Sequence, residues 1–119
     1  MPKKKVFCFD LDNVICITTK NFYNKSKPNH KAIKIINKLH SEGHTIKIMT
    51  ARYSGRFNDD FKKTKKIGYK KTLLQLKKWG VKFDRLYMTK PSFDFYVDDK
   101  SFNFNNSWTS FIEKKYLKR

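Results

Sequence analysis

Four short apolar runs, each ending in polar or charged residues, constrain this chain more than any other feature. Val6-Phe7-Cys8-Phe9 stops at Asp10, and Thr45 to Met49 stops at Thr50. Arg85-Leu86-Tyr87-Met88 runs into Thr89-Lys90-Pro91, and Phe95-Tyr96-Val97 stops at Asp98-Asp99. Continuous apolar runs of this length suit strands buried on both faces. Between the first two runs, Pro28-Asn29 opens a helix in which Ala32, Ile33, Ile36, Leu39 and His40 recur at helical spacing, and Gly43 stops it. Between the second and third, a helix from about Asp60 to Trp79 carries Leu73, Leu76 and Trp79 on one face and closes at Gly80. Gly68 is a weak point inside it. The order β-α-β-α-β-β predicts an α/β fold, a Rossmann-like parallel sheet with flanking helices and right-handed crossovers. Ligands of such sheets sit beyond the carboxyl ends of the strands, where Asp10, Thr50, Lys90 and Asp98 fall.

A length of 119 residues suits one core, so one domain is expected over 1–119. Within it, 15–27 reads as a flap or loop rich in Thr18, Thr19, Asn21, Asn24 and Ser26, and 53–60 as a second loop. About 105–119 reads as a C-terminal helix carrying Trp108, Phe111, Ile112 and Tyr116. With 39% hydrophobic and 16% aromatic residues, disorder as the main state is excluded. No apolar run approaches the roughly 18 residues that span a bilayer, so no membrane insertion is expected. The basic start Met1-Pro-Lys-Lys-Lys meets Asp10 too soon for a signal peptide. Cys8 and Cys16 lack metal-type spacing and read as reduced thiols, which suits the cytoplasm.

Lysine and arginine number 28 against 10 acids, a net charge of +18. Such a balance fits an anionic partner: nucleic acid, a phosphorylated metabolite or an anionic membrane. It also follows from a composition rich in Lys, Asn, Ile, Phe and Tyr, as an A/T-rich genome produces, and the lysines are scattered along the chain. The run Lys62-Lys63-Thr64-Lys65-Lys66 reads as a solvated helix face, and His30, His40 and His44 as solvated or helix-face histidines. The acids are more informative. Four of the ten form two tight pairs, Asp10/Asp12 and Asp98/Asp99. Clustered carboxylates repel one another and need a cation or protons to offset the repulsion.

If the four strand ends converge, their chemistry is complementary. Of two carboxylates two residues apart, one can ligate Mg²⁺ and attack as a nucleophile while the other acts as general acid or base. A carboxylate from Asp98 or Asp99 completes a hard oxygen site, which suits Mg²⁺ with its waters and a substrate phosphate. Thr50 can donate to a phosphoryl oxygen, and Lys90 can neutralise both nucleophile and transferred group. Arg52 has two readings: a bidentate contact to a substrate phosphate or carboxylate, or an ion pair with an acid such as Asp98 that fixes the loop. Cys8 reads as core, and no base is evident that would make Cys16 a nucleophile.

The stretch Phe7-Cys8-Phe9-Asp10-Leu11-Asp12-Asn13-Val14 resembles the first motif of the haloacid dehalogenase (HAD) superfamily. Ile48-Met49-Thr50, Lys90-Pro91 and Tyr96-Val97-Asp98-Asp99 resemble the second, third and fourth. One Asp-x-Asp is a weak signal; four motifs in order are a strong one. Within that superfamily the chain is most similar to the short capsule-biosynthesis phosphatases. They share the Asp-Leu-Asp-Asn start, the Lys27-Pro28-Asn29 stretch, the Thr50-Ala51-Arg52 motif, and Lys-Pro followed by Tyr-Val-Asp-Asp. The resemblance covers about Val6 to Ser101.

The resemblance implies Asp10 as the nucleophile that forms an aspartyl-phosphate, and Asp12 as general acid then base, its backbone carbonyl on Mg²⁺. It further implies Thr50 and Lys90 as phosphoryl-binding residues, with Asp99 or Asp98 completing the metal site and Asp99 favoured. Val14 departs from the Thr that many members carry. Neither interval holds a large cap domain, so the site is expected to be open, to a large substrate directly or to a small phosphorylated one shielded by subunit pairing in a homo-oligomer. The expected activity is a Mg²⁺-dependent phosphomonoester hydrolase, with a sugar phosphate of surface-polysaccharide synthesis as substrate on resemblance alone. The alternatives are a nucleotide or nucleic-acid-end phosphatase, or a basic nucleic-acid-binding module on a HAD scaffold. Transfer to an acceptor other than water stays open beside hydrolysis.

Overall fold

The computed structural model describes residues 3–20, 22–52, 61–88, 94–97 and 108–117, with side chains of 61–65 outside that description. Its elements, in chain order, begin with β1 (Val6–Asp10), β2 (Cys16–Ile17), β3 (Lys27–Pro28), α1 (His30–Ser41) and β4 (Thr45–Met49). They continue with α2 (Phe61–Lys78), β5 (Arg85–Tyr87), β6 (Phe95–Val97) and α3 (Trp108–Tyr116). Four strands form a parallel sheet in the order β5-β4-β1-β6. With its helices it is a Rossmann-like α/β fold, as the order of apolar runs predicts. Among the described residues, the insertion between β1 and α1 is a small antiparallel hairpin of β2 and β3 rather than a cap domain. No described helix is long and apolar enough to cross a membrane.

Register decides which side chains meet. Phe7 and Phe9 of β1 pair with Ile46 and Ile48 of β4, and with Phe95 and Val97 of β6. Period-2 alternation therefore gathers these residues on one face of the sheet. The helices close over that face. Phe7 meets the Tyr116 ring of α3 at 5.5 Å and the Phe95 ring at 5.4 Å, while Phe9 lies 5.7 Å from Trp108. Ile33, Ile36 and Leu39 of α1 and Leu76 of α2 complete the same buried cluster.

The helix ends match the glycine signals. After α1, Gly43 adopts φ 92°, its N–H donating to His40 and that of His44 to Leu39. After α2, Gly80 adopts φ 72°, its N–H donating to Lys77 and that of Val81 to Leu76. Both are Schellman closures, which need a left-handed residue that glycine supplies without strain. The helix α2 runs unbroken through Gly68. At the start of α1, Asn29 rather than Pro28 is the cap, its side chain accepting from Ala32 N–H at 3.2 Å. Pro28 instead belongs to β3, so 15–27 is a structured hairpin with a 3₁₀ turn at Tyr23–Lys25 rather than plain loop. The expected loop at 53–60 and the ends of the expected helix at 105–119 lie outside the described residues.

Two further acids are spent on the sheet's amino edge. Asp84 accepts from Ile46 N–H at 2.7 Å and returns its own N–H to the Ile46 carbonyl. Asp94 does the same with Val6, at 2.8 Å and 2.9 Å. His44 departs from the solvated reading: it is 4% exposed, accepts from Lys5 N–H, and packs edge-on against Phe7. A neutral ring nitrogen satisfied by backbone tolerates that burial. His40 sits 3.6 Å from Asp84 on the helix face, and His30 is exposed. Because Phe7 touches four aromatic neighbours, Phe7→Ala is expected to cost about 3–5 kcal/mol, read as a fall in urea midpoint at unchanged slope.

Candidate active site

The carboxyl edge of the sheet is where the strand-end residues meet. The ladders run one residue beyond β1 and β4: Leu11 N–H donates to the Met49 carbonyl, and Thr50 N–H to that of Tyr87. Alternation then sends Leu11 into the core while Asp10 and Asp12 both line an open cleft of about 190 Å³. Thr18, Lys20 and Tyr23 of the hairpin and Arg52 of the loop after β4 line the same cleft.

The turn after Asp12 owes its shape to Asn13, which sits at φ 67°, a conformation asparagine tolerates better than most residues. Its N–H donates to the Cys16 carbonyl, and its side-chain oxygen accepts from Thr18 N–H. Val14 is 1% exposed and packs in the core, where an apolar side chain is at home. The bridge between Asp12 and Cys16 uses Asn13 N–H and the Leu11 carbonyl, so Asp12's own carbonyl takes no part in it.

Asp12 is held hard. Its carboxylate accepts from Arg52 Nε at 3.0 Å to each oxygen, from Arg52 Nη2 at 2.8 Å and from Thr18 Oγ1 at 2.6 Å. Arg52 is thus the partner of an acid, but the acid is Asp12 and not Asp98. Its side chain is 2% exposed against 23% for Asp12. The ionic reading of Arg52 is therefore realised, with the planar fork matched to the carboxylate. Removing one member of such a buried pair strands the other.

Asp10 lies at the end of β1, with one carboxylate oxygen accepting from Leu11 N–H at 3.0 Å. Thr50 is 1% exposed, and its hydroxyl oxygen accepts from Arg52 N–H at 3.0 Å. That leaves the hydroxyl proton to be donated elsewhere. The strands that precede Lys90 and the Asp98/Asp99 pair, β5 and β6, end at the same edge as β1 and β4. Lys90, Asp98 and Asp99 themselves lie outside the described residues.

The residues present fit a hard divalent cation. Asp10 offers a carboxylate and Asp12 a backbone carbonyl, while Asp12's carboxylate is spent on Arg52 and Thr18. Mg²⁺ is characteristically held by one or two carboxylates with waters and substrate oxygens filling its remaining positions. Among the described residues no group of three His, Cys, Asp or Glu side chains converges.

Four partners of Arg52 escaped sequence reasoning: Gln75 of α2 and Ser26, Tyr23 and Cys16 of the hairpin. Nothing in local spacing signals them, since Gln75 is a lone polar residue 23 positions away. Burial pushes the Cys16 thiol above its usual range, and the Asp12 charge adds to this, against weaker opposing contributions from Thr18, Arg52 and Ser26. The thiol is thus kept protonated at neutral pH and unreactive.

Two solved structures are similar to this chain. A conserved protein from Bacteroides thetaiotaomicron matches with a TM-score of 0.66 at 15% identity, over 93% of this chain and 88% of that one. A structural-genomics target from Vibrio cholerae matches with a TM-score of 0.65 at 22% identity, over 93% and 98%. At these identities the likeness is one of fold. No family model matches the sequence, and no curated protein matches it.

Asp12→Ala is expected to lower stability by about 3 kcal/mol in urea unfolding. Adding Arg52→Met should recover part of the loss, because no buried charge then stands alone. Ellman's reagent at pH 8 should find neither Cys16 nor Cys8 (1% and 0% exposed) in the native protein and both after denaturation.

Proposed function

We propose that this protein is a Mg²⁺-dependent phosphomonoester hydrolase of the HAD type, working through an aspartyl-phosphate on Asp10. The observation that carries the reading is the pair of carboxylates two residues apart in one cleft, Asp10 at the strand end and Asp12 clamped beside it. Their environments differ, which is what separate roles require.

In the first step an Asp10 oxygen attacks phosphorus and the bond from phosphorus to the ester oxygen breaks. Asp12 delivers a proton to that departing oxygen. In the second step Asp12 takes a proton from water as the water attacks phosphorus. The bond to Asp10 breaks, releasing inorganic phosphate and restoring the carboxylate. The Thr50 hydroxyl donates to a phosphoryl oxygen and the Lys90 ammonium offsets its charge. Mg²⁺, held by the Asp10 carboxylate and the Asp12 carbonyl with Asp99 or Asp98, supplies positive charge against which the phosphoryl group and nucleophile come together.

The four sequence motifs support this reading, and their likeness to the capsule-biosynthesis phosphatases makes a sugar phosphate the first substrate class to test. Phosphate release is measured from an aryl phosphate, sugar phosphates, nucleotides and a 3′-phosphorylated oligonucleotide, each with Mg²⁺ and with EDTA. Release is expected with Mg²⁺ alone and should fall by roughly 10³-fold or more in Asp10→Asn. Release indifferent to both EDTA and that substitution overturns the proposal. Preference for the oligonucleotide or a nucleotide moves the substrate to the nucleic-acid class. Silence throughout, with steeply salt-dependent oligonucleotide binding, favours a binding module.

A further inference from the structure

The geometry points to Arg52 and Gln75 as positioning residues that couple docking of the hairpin flap to the orientation of Asp12, with neither touching substrate. The inference rests on the hydrolase reading above, in which Asp12 moves the protons.

A guanidinium has five N–H groups, and at Arg52 they are nearly all spent. Nε faces both Asp12 oxygens, Nη2 reaches Asp12 Oδ1 and, at 3.3 Å, Ser26 Oγ, and Nη1 donates to Gln75 Oε1 at 2.6 Å. The Tyr23 ring covers the guanidinium, its centroid 4.9 Å from the central carbon. A substrate phosphate seeking the two-pronged edge of Arg52 would have to displace Asp12 from it.

Gln75 uses both arms of its amide. The oxygen accepts from Arg52, and the nitrogen donates to the Tyr23 carbonyl of the flap at 2.8 Å. The flap answers from its other side. Thr18 reaches Asp12 at 2.6 Å and shares a 2.6 Å hydrogen bond with Ser26, which in turn accepts from Arg52. The bonds close a ring: Asp12, Thr18, Ser26, Arg52 and back to Asp12, with Gln75 fastening it to α2. Lifting the flap removes Thr18 and Ser26 from this ring together, and Asp12 loses a hydrogen bond on the side away from Arg52. The carboxylate that handles protons is therefore fully aligned only when the flap is down.

The test uses Gln75→Leu, which keeps a helix-compatible side chain of similar size, with Arg52→Lys as the second variant. Two readouts are taken on the full chain. Hydrogen exchange of the 16–28 amides reports flap anchoring and should quicken roughly tenfold in Gln75→Leu, the weight of one hydrogen bond to a charged group. The ratio of kcat/KM for an alkyl phosphate to that for p-nitrophenyl phosphate reports protonation of the leaving group, which only the alkyl ester requires. That ratio should fall about tenfold or more in both variants, with KM for the aryl ester unchanged.

Faster exchange with an unchanged ratio overturns the coupling, because the flap would then be anchored independently of Asp12. Unchanged exchange overturns it too. A raised KM for both esters with an unchanged ratio overturns it in favour of direct substrate contact. A wild-type protein that hydrolyses no phosphomonoester fails at the earlier reading, and the coupling falls with it. A hydrolase lost in Asp10→Asn but insensitive at Gln75 and Arg52 overturns the coupling alone.

Discussion

A guanidinium with almost no exposed surface must be neutralised where it sits, and Arg52 meets that demand through Asp12. Isolated charge in such a setting is expensive enough that the surrounding chain is arranged around it. The loop after β4 turns inward to deliver the side chain, and the hairpin after β1 folds back so that Thr18, Ser26 and the Tyr23 ring enclose it. Helix α2 contributes Gln75 from the far side. Three segments distant in sequence thus share one hydrogen-bonded centre at the carboxyl edge of the sheet, beside the residue best placed to attack a phosphoryl group.

The framework was legible because its signals are local. Apolar runs ending in polar residues gave strands within a residue or so of β1, β4, β5 and β6, and Gly43 and Gly80 marked helix ends by the one conformation they alone adopt freely. The 3.6-residue periodicity of Ile33, Ile36 and Leu39 anticipated the buried face of α1. Asp10 and Asp12 stood out because few acids occur and these sit side by side at a strand end.

What stayed hidden was set by tertiary contact. The acid paired with Arg52 lies 40 positions away, so spacing alone left it ambiguous, and Asp98 was the wrong candidate. The hairpin was illegible because β2 and β3 are two residues each, too short for alternation to show, and because Pro28 mimics a helix start. His44 was misplaced since burial beside Phe7 depends on a backbone donor from Lys5, which no local pattern reveals. Likewise Asp84 and Asp94 look like stray surface acids until β4 and β1 bring backbone N–H groups to them.

One strand carries both the core and the chemistry, separated only by parity. Phe7, Phe9 and Leu11 face inward, while Asp10 and Asp12 face the cleft. Inserting or deleting a single residue between Phe9 and Asp10 would exchange the two sets, driving carboxylates toward Ile46 and Ile48 and rings toward solvent. Substitutions along β1 can therefore accumulate one position at a time, but its length is frozen: the reading frame of the pleat is shared property of folding and catalysis.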